Sequence, residues 1–329
     1  MSSRRSVAYF ALLATFAVSA CSGDDSAGPA TDAPTTLSPA TEAPTTVTLD
    51  PAVEAMMYTE AGPYPVGVTT LELAAGNKVE VWYPAIEGTT GAEFYDTRDF
   101  VPPAIKALLT ADVPARYDYT AGRDAVVADG QFPIVLFSHG YSGIRLQSTF
   151  LTAHLASWGM IVAAPDHWSR DLFHVLSAPV GDRESATGEL LGTLDLVTSG
   201  DDDPASLLQG HVDVSRVIAL GHSAGGGTIV SAAKDDRVDG YISMASGVLG
   251  MGSANATTTA PPTFVNKPSF FIAGALDAII SAEESTRPSF EAVPGPSRLW
   301  IIDGVGHNGF DDFCTFGNGS GIIGVALAS

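Results

Sequence analysis

Gly221-His222-Ser223-Ala224-Gly225 sets a serine between two glycines, each two residues away, with the apolar run Val217–Leu220 ahead of it and Gly225-Gly226-Gly227 behind. A lone serine hydroxyl is a poor nucleophile near neutral pH. It becomes a competent one beside a base that is itself oriented by an acid. A strand-to-helix turn sharp enough to expose such a hydroxyl leaves no room for side chains two residues to either side, hence the glycines. The run is no phosphate loop, because no lysine follows at the position that motif requires. The bland alternative is a glycine turn with an incidental serine. The strand that enters and the helix that leaves argue for Ser223 as a nucleophile.

The base and the acid should come later in the chain, acid first. Asp277 stands in Gly274-Ala275-Leu276-Asp277 and His307 in Gly304-Val305-Gly306-His307, each just after an apolar run. Of the seven histidines, His307 alone follows both the serine and a candidate acid. Asp303 is the rival acid, but it precedes His307 by four residues on the same loop, an awkward place from which to orient the ring. The triad is therefore read as Ser223, Asp277 and His307. An oxyanion needs two preorganised N–H donors. Ala224, directly after the nucleophile, should supply one. Tyr141, in Ser138-His139-Gly140-Tyr141-Ser142-Gly143, should supply the other, with its ring as one wall of an acyl site. This chemistry needs no cofactor, and no histidine–carboxylate cluster has the spacing of a metal site. Asp166-His167-Trp168 reads equally as pocket lining and as packing or an ion pair. Asp201-Asp202-Asp203 reads as a solvated loop.

These residues need elements to hold them. Val66–Leu73 and Lys78–Tyr83 read as strands joined through Gly76-Asn77. Further strands are expected over Ile134–Phe137, Met160–Ala164, Val217–Leu220, Gly240–Ala245, Ser269–Ala273 and Arg298–Ile302. Helices are expected over Leu146–Ser157, Arg183–Val197 and Gly227–Lys234. Residues 88–130 read as irregular, with a short helical stretch near Ile105–Leu109. Strands alternating with helices imply an α/β protein with a mostly parallel central sheet and helices on both faces. The motifs all fall just after strands, at the sheet edge where ligand chemistry sits in such folds.

The chain has 329 residues and a formal charge of −21, from 37 acids against 16 bases. Such a surface repels nucleic acid, and no basic stripe argues otherwise. Residues 1–20 read as a targeting segment: Arg4 and Arg5 precede an apolar run, Val7 to Val18, too short for a membrane span. Val18-Ser19-Ala20-Cys21 resembles the lipobox of bacterial lipoproteins, which implies cleavage before Cys21, its lipidation, and a membrane anchor on an exported protein. Residues 21–60, rich in Thr, Pro and Ala, read as a disordered tether. Within it Ala30–Thr36 recurs as Ala40–Thr46. With Cys21 acylated, Cys314 is expected as a free, buried thiol. Residues 61–329 form the expected catalytic domain. Ile322–Leu327 leaves room for one short closing element, so a truncated C-terminus is among the expectations.

Gly62-Pro63-Tyr64-Pro65-Val66-Gly67, Phe137-Ser138-His139-Gly140, Leu155-Ala156-Ser157-Trp158-Gly159, Gly221–Gly226 and His307-Asn308-Gly309-Phe310 resemble platelet-activating-factor acetylhydrolases. Gly140-Tyr141-Ser142-Gly143, Val212–Gly227 and Gly274–Asp277 resemble bacterial cutinases and polyester hydrolases. Both resemblances imply the α/β-hydrolase fold and a serine-dependent carboxylic-ester hydrolase acting on an ester with an apolar acyl group. Met244-Ala245-Ser246-Gly247 holds neither the carboxylate of the acetylhydrolase pattern nor the tryptophan both groups tend to carry, so the acid is Asp277 in the cutinase manner. Two other readings stand beside this one: an amidase or peptidase with the same triad, and a non-catalytic binding protein on a hydrolase scaffold.

Overall fold

The computed structural model describes residues 56–110, 114–177, 185–248 and 263–316. The expected targeting segment, Cys21 and residues 317–329 lie outside them, as does the Cys314 side chain. The expected tether runs to residue 60. Within the described part of it, the Tyr58 ring meets Trp158 at 4.8 Å and the Glu60 carbonyl accepts from the Trp158 indole.

The chain opens with β1 (Val66–Glu72) and β2 (Lys78–Pro84), an antiparallel hairpin whose turn places Gly76 at φ +101°, a conformation that favours glycine. β3 (Glu93–Asp96), α1 (Pro103–Lys106), β4 (Arg116–Tyr119) and β5 (Gly122–Arg123) follow. Then come β6 (Phe132–Ser138), α2 (Thr149–Ser157), β7 (Ile161–Pro165), α3 (Leu172–Leu176), α4 (Ala186–Asp202), β8 (Val212–His222) and α5 (Ala224–Ala232). The last elements are β9 (Gly240–Met244), β10 (Ser269–Gly274), a π-turn at Ala282–Thr286 that leads into α6 (Arg287–Glu291), and β11 (Ser297–Ile302).

Nine strands make one sheet among the described residues, in the order β11-β10-β9-β8-β6-β7-β2-β1-β5. β6 to β11 are parallel, and β2 joins β7 antiparallel. The inner strands are apolar on both faces, and their alternation divides the core in two. Val79, Val81, Ile134, Leu136, Ile161 and Ala163 point to one side, where they pack with Leu190 and Leu194 of α4 and Ile229 of α5. Trp82, Val135, Phe137, Val162 and Ala164 point to the other, against Ala156 of α2 and Phe310. Helices on both faces bury what a parallel sheet cannot leave to water.

The chain departs from the expected boundaries where local chemistry decides them. Ser185 caps α4 by accepting from Gly188 N–H at 3.1 Å, so the helix starts after Arg183 and runs on through Asp202. Asp201 and Asp202 are thus helical, and Asp201 accepts from Val212 N–H at 2.9 Å. Proline at N1 sets α1 two residues earlier than Ile105. The stretch 88–130 is less irregular than expected, because β3 and β4 pair with each other across nineteen intervening residues.

Candidate active site

β6 lies between β7 on one side and β8 on the other, so the chain reverses its direction of travel across the sheet there. Such a switch point opens a crevice at the carboxyl ends of the two strands. β6 delivers the 139–143 loop to it and β8 delivers Ser223. Asp277 follows β10, and His307 follows β11 at the start of a 3-10 turn.

Ser223 has φ 55° and ψ −121°, left-handed backbone that a non-glycine residue adopts only when its surroundings impose it. The glycines supply those surroundings. A Cβ on Gly221 would collide with the Gly225 carbonyl, and one on Gly225 with the Ser138 carbonyl. A bond from Ser223 N–H to the Met244 carbonyl, 2.9 Å, anchors the turn to β9. A Cβ on Gly140 would stand 3.2 Å from Ser223 Cβ, so glycine lets the 139–143 loop close over the nucleophile.

The structure brings Ser223, His307 and Asp277 into line. His307 Nε2 lies 3.0 Å from Ser223 Oγ, and Nδ1 lies 2.8 Å from Asp277 Oδ2. The other Asp277 oxygen accepts the N–H groups of Ile279 and Ile280 at 2.9 and 2.7 Å. That fixes which oxygen faces the histidine. With Nδ1–H donating to a carboxylate, Nε2 is left as an acceptor for the serine proton. Asp277 and His307 are buried while Ser223 is half-buried at the crevice. Asp303, the rival acid, is exposed and takes no part. Ala224 is exposed at the first position of α5, where a helix has no acceptor of its own for the N–H. Tyr141 follows Gly140 and is 60 % exposed.

Beneath these residues lies a bed of buried polar side chains. The Gln147 amide joins the 139–143 loop to the nucleophile turn: its Oε1 accepts Gly140 N–H at 3.1 Å, and its Nε2 donates to His222 Nδ1 at 2.9 Å. His222 Nε2 then donates to the His307 carbonyl at 3.0 Å. Burial pushes both His222 and His139 down to about 3, so both rings are neutral. Of the Asp166-His167-Trp168 motif, Asp166 pairs with Arg145 at 2.7 Å and His167 is sealed from solvent between Ser138 and Glu189. The packing reading of that motif holds. Gln147 and Arg170 carried no sequence signal, since neither belongs to a motif and their partners meet them only in the fold. Among the described residues, no three His, Cys, Asp or Glu side chains are gathered as a metal would need.

A parallel-rich sheet with helices on both faces and a strained serine at the head of a central strand defines the α/β-hydrolase class. A family model described as PETase, PET hydrolase-like, matches residues 121–322, and the chain belongs to that family. It is similar to cutinase est2 of Thermobifida alba, 24% identical over 176 residues, which cover 53% of this chain and 52% of the cutinase. It thus spans about half the length of that relative. It is also similar to the platelet-activating factor acetylhydrolase of Cavia porcellus, 24% identical over 325 aligned residues, 81% of this chain and 71% of the relative.

Proposed function

We propose that this protein is a serine-dependent carboxylic-ester hydrolase working through an acyl-enzyme on Ser223. The observation that carries the reading is the unbroken series Asp277 Oδ2, His307 Nδ1, His307 Nε2, Ser223 Oγ, at 2.8 and 3.0 Å. Ser223 Oγ attacks the ester carbonyl as His307 Nε2 takes its proton. The Asp277 carboxylate holds the imidazolium that forms. The N–H groups of Ala224 and Tyr141 receive the oxyanion, and Ala224 does so at the positive end of the nine-residue α5. His307 returns the proton to the leaving alcohol, which departs. Water then repeats the sequence on the acyl-enzyme and frees the acid.

The substrate is an ester with an apolar acyl group. Tyr141, in the 139–143 loop, and Leu276 and Ile279, one and two positions from Asp277 in the chain, are 60, 49 and 36 % exposed. Apolar groups held open to water on the loops that carry site residues favour an apolar ligand. The relatives agree with this chemistry by name, as a cutinase and an acetylhydrolase. The protein is exported and held to a membrane by lipid on Cys21, with residues 22–60 as a spacer, as the lipobox-like sequence supports. Among the described residues no helix is long and apolar enough to cross a membrane.

The test is hydrolysis of p-nitrophenyl esters from acetate to palmitate by the wild type and by Ser223→Ala. Serine-dependent turnover supports the reading, and the chain-length profile separates short-acyl from long-acyl preference. No turnover on any ester by folded wild-type protein overturns it. For the anchor, Cys21→Ala should move the exported protein from the detergent phase to the aqueous phase on phase partition. An unchanged partition removes the lipid.

A further inference from the structure

We propose that Arg170 is a positioning residue for the oxyanion hole. Its buried guanidinium clamps the 139–143 loop from behind the nucleophile turn and sets a fixed positive charge beneath the forming oxyanion. The inference rests on the reading of Ser223 as nucleophile.

Arg170 is 9 % exposed, and its bonds converge on the two segments that build the oxyanion hole. Nε and Nη2 both donate to the His139 carbonyl, at 3.2 and 2.8 Å. Nη1 donates to Thr228 Oγ1 at 2.7 Å, and that hydroxyl in turn reaches the Ala224 carbonyl at 3.3 Å. The backbone completes the clasp: Ser142 N–H donates to the Arg170 carbonyl at 2.8 Å, and Leu172 N–H to the Gly143 carbonyl at 2.9 Å. Arg170 therefore touches the loop that carries Tyr141 and the helix that opens at Ala224. None of these bonds engages the N–H of Tyr141 or of Ala224.

Every described hydrogen bond of this guanidinium goes to an uncharged acceptor. A buried cation without a counter-charge is costly. The counter-charge here stands at a distance. Arg170 Nη2 donates to Ser138 Oγ at 2.8 Å, Ser138 Oγ lies 2.9 Å from His167 Nε2, and His167 Nδ1 lies 2.9 Å from Glu189 Oε2. Glu189 Oε1 accepts from Asn77 Nδ2 and Trp168 N–H at 2.9 and 3.1 Å. One proton assignment gives every donor in this series an acceptor. Ser138 O–H donates to Nε2, Nδ1–H donates to Glu189, and Glu189 is an anion, a form that burial disfavours by pushing this carboxyl up to about 7. A protonated Glu189 would reverse the series and leave the Ser138 proton, with Arg170 already donating to its oxygen, no acceptor in it. The series repeats the order of the active triad, serine, histidine, carboxylate. Ser138 and His167 are wholly buried and Glu189 is 2 % exposed, so no substrate reaches it. Its work is to link the cation to its anion through aligned dipoles. A direct ion pair would cancel the field of Arg170 at the nucleophile turn. A relay leaves the positive end under the oxyanion and the negative end on α4, and a fixed charge in a low-dielectric site acts strongly on charge that develops in the transition state.

Wild type, Arg170→Gln and Arg170→Lys should be compared on p-nitrophenyl butyrate, with active serine counted by a fluorophosphonate label and folding checked by circular dichroism. Arg170→Gln should lower kcat about 10- to 100-fold, below the full loss of one oxyanion donor, with KM within about twofold. Its affinity for an alkylboronic acid, whose adduct on the serine mimics the charged tetrahedral state, should fall in step. Arg170→Lys keeps the charge without the fork and should recover part of both. A folded Arg170→Gln with wild-type kcat overturns the inference, as does a loss that lysine does not recover at all. Where Arg170→Gln does not fold, Ser138→Ala decides. Cutting the relay there should lower kcat at least about threefold at constant KM, and an unchanged kcat overturns the inference. Wild type that neither turns over nor takes the label overturns the hydrolase reading and this inference together. An active wild type with indifferent variants overturns this one alone.

Discussion

His222 Nε2 donates to the main-chain carbonyl of His307 across 3.0 Å. The residue before the nucleophile thus holds the backbone of the residue that must take the nucleophile's proton. The bond continues on the other side of the ring, through Gln147, to Gly140 N–H in the loop over the serine. One file of side chains therefore sets three segments relative to one another: the loop after β6, the turn after β8 and the loop after β11.

Gln147 is the residue whose removal breaks this file without touching the triad. Gln147→Leu leaves Gly140 N–H and His222 Nδ1 buried without the partners they have now. That costs about 1–3 kcal/mol of stability for each group stranded, read as a lower midpoint in urea. The kcat should fall as well, because the His222 ring that holds the His307 carbonyl loses its support on the Gln147 side.

Asp277→Asn should be far more damaging to rate than to stability. The N–H groups of Ile279 and Ile280 require an acceptor, so the Asn oxygen stays with them and the amide nitrogen faces His307. That forces the histidine proton from Nδ1 to Nε2, where it can no longer accept from Ser223. The kcat should drop by roughly four orders of magnitude, as the wrong tautomer does in a serine protease triad. A near-wild-type melting curve beside that loss would locate the effect in the proton.

At Gly225 the geometry predicts a joint loss. A Cβ there strikes the Ser138 carbonyl, which is main chain and cannot rotate away. Gly225→Ala should cost at least about 2 kcal/mol, in the upper range for a single substitution, and should lower stability and rate together. Chemical denaturation followed by tryptophan fluorescence checks it.

Asp312 makes stability depend on pH. Its carboxylate is buried and capped by Thr149 N–H, Phe150 N–H and the Tyr95 hydroxyl, and burial pushes it up to about 7. A carboxyl raised on folding holds its proton in the native state after the unfolded chain has lost it. Its contribution is full below about pH 4 and is lost as pH rises toward 7. His139 and His222, held down to about 3, act in the opposite sense, their contribution fading as pH falls from about 6.5 to 3. The wild-type profile mixes these trends. The difference between wild type and Asp312→Asn isolates one: the stability advantage of wild type should shrink between pH 4 and 7. An advantage that grew over that range would contradict the assignment.

The parts of this protein legible in its sequence are those whose cause is local or periodic. Val217–Leu220 followed by Gly221 and Gly225 announces a turn because only glycine fits where a carbonyl comes within contact of Cα. Ile134 to Phe137 reads as a buried strand because every residue is apolar, and both faces are in fact covered. The order of serine, acid and histidine follows from where successive strands end. What the sequence concealed is long-range pairing. Glu93–Asp96 and Arg116–Tyr119 are short, polar segments that become strands only against each other. Gln147, Arg170 and Glu189 look like ordinary surface residues until the sheet closes over them. Their burial is compensated in large part by partners 58, 75 and 112 positions away, which no local pattern records.

The central claim is that Ser223 carries the acyl group between two half-reactions. Rapid mixing of enzyme with p-nitrophenyl acetate, followed by intact-mass measurement of the quenched protein, tests it most directly. The account predicts p-nitrophenol release from wild type and a mass gain of one acetyl group that maps to the peptide holding Ser223, with neither in Ser223→Ala. Undiminished turnover by Ser223→Ala, or an acetyl group that maps elsewhere while turnover depends on it, would contradict the account.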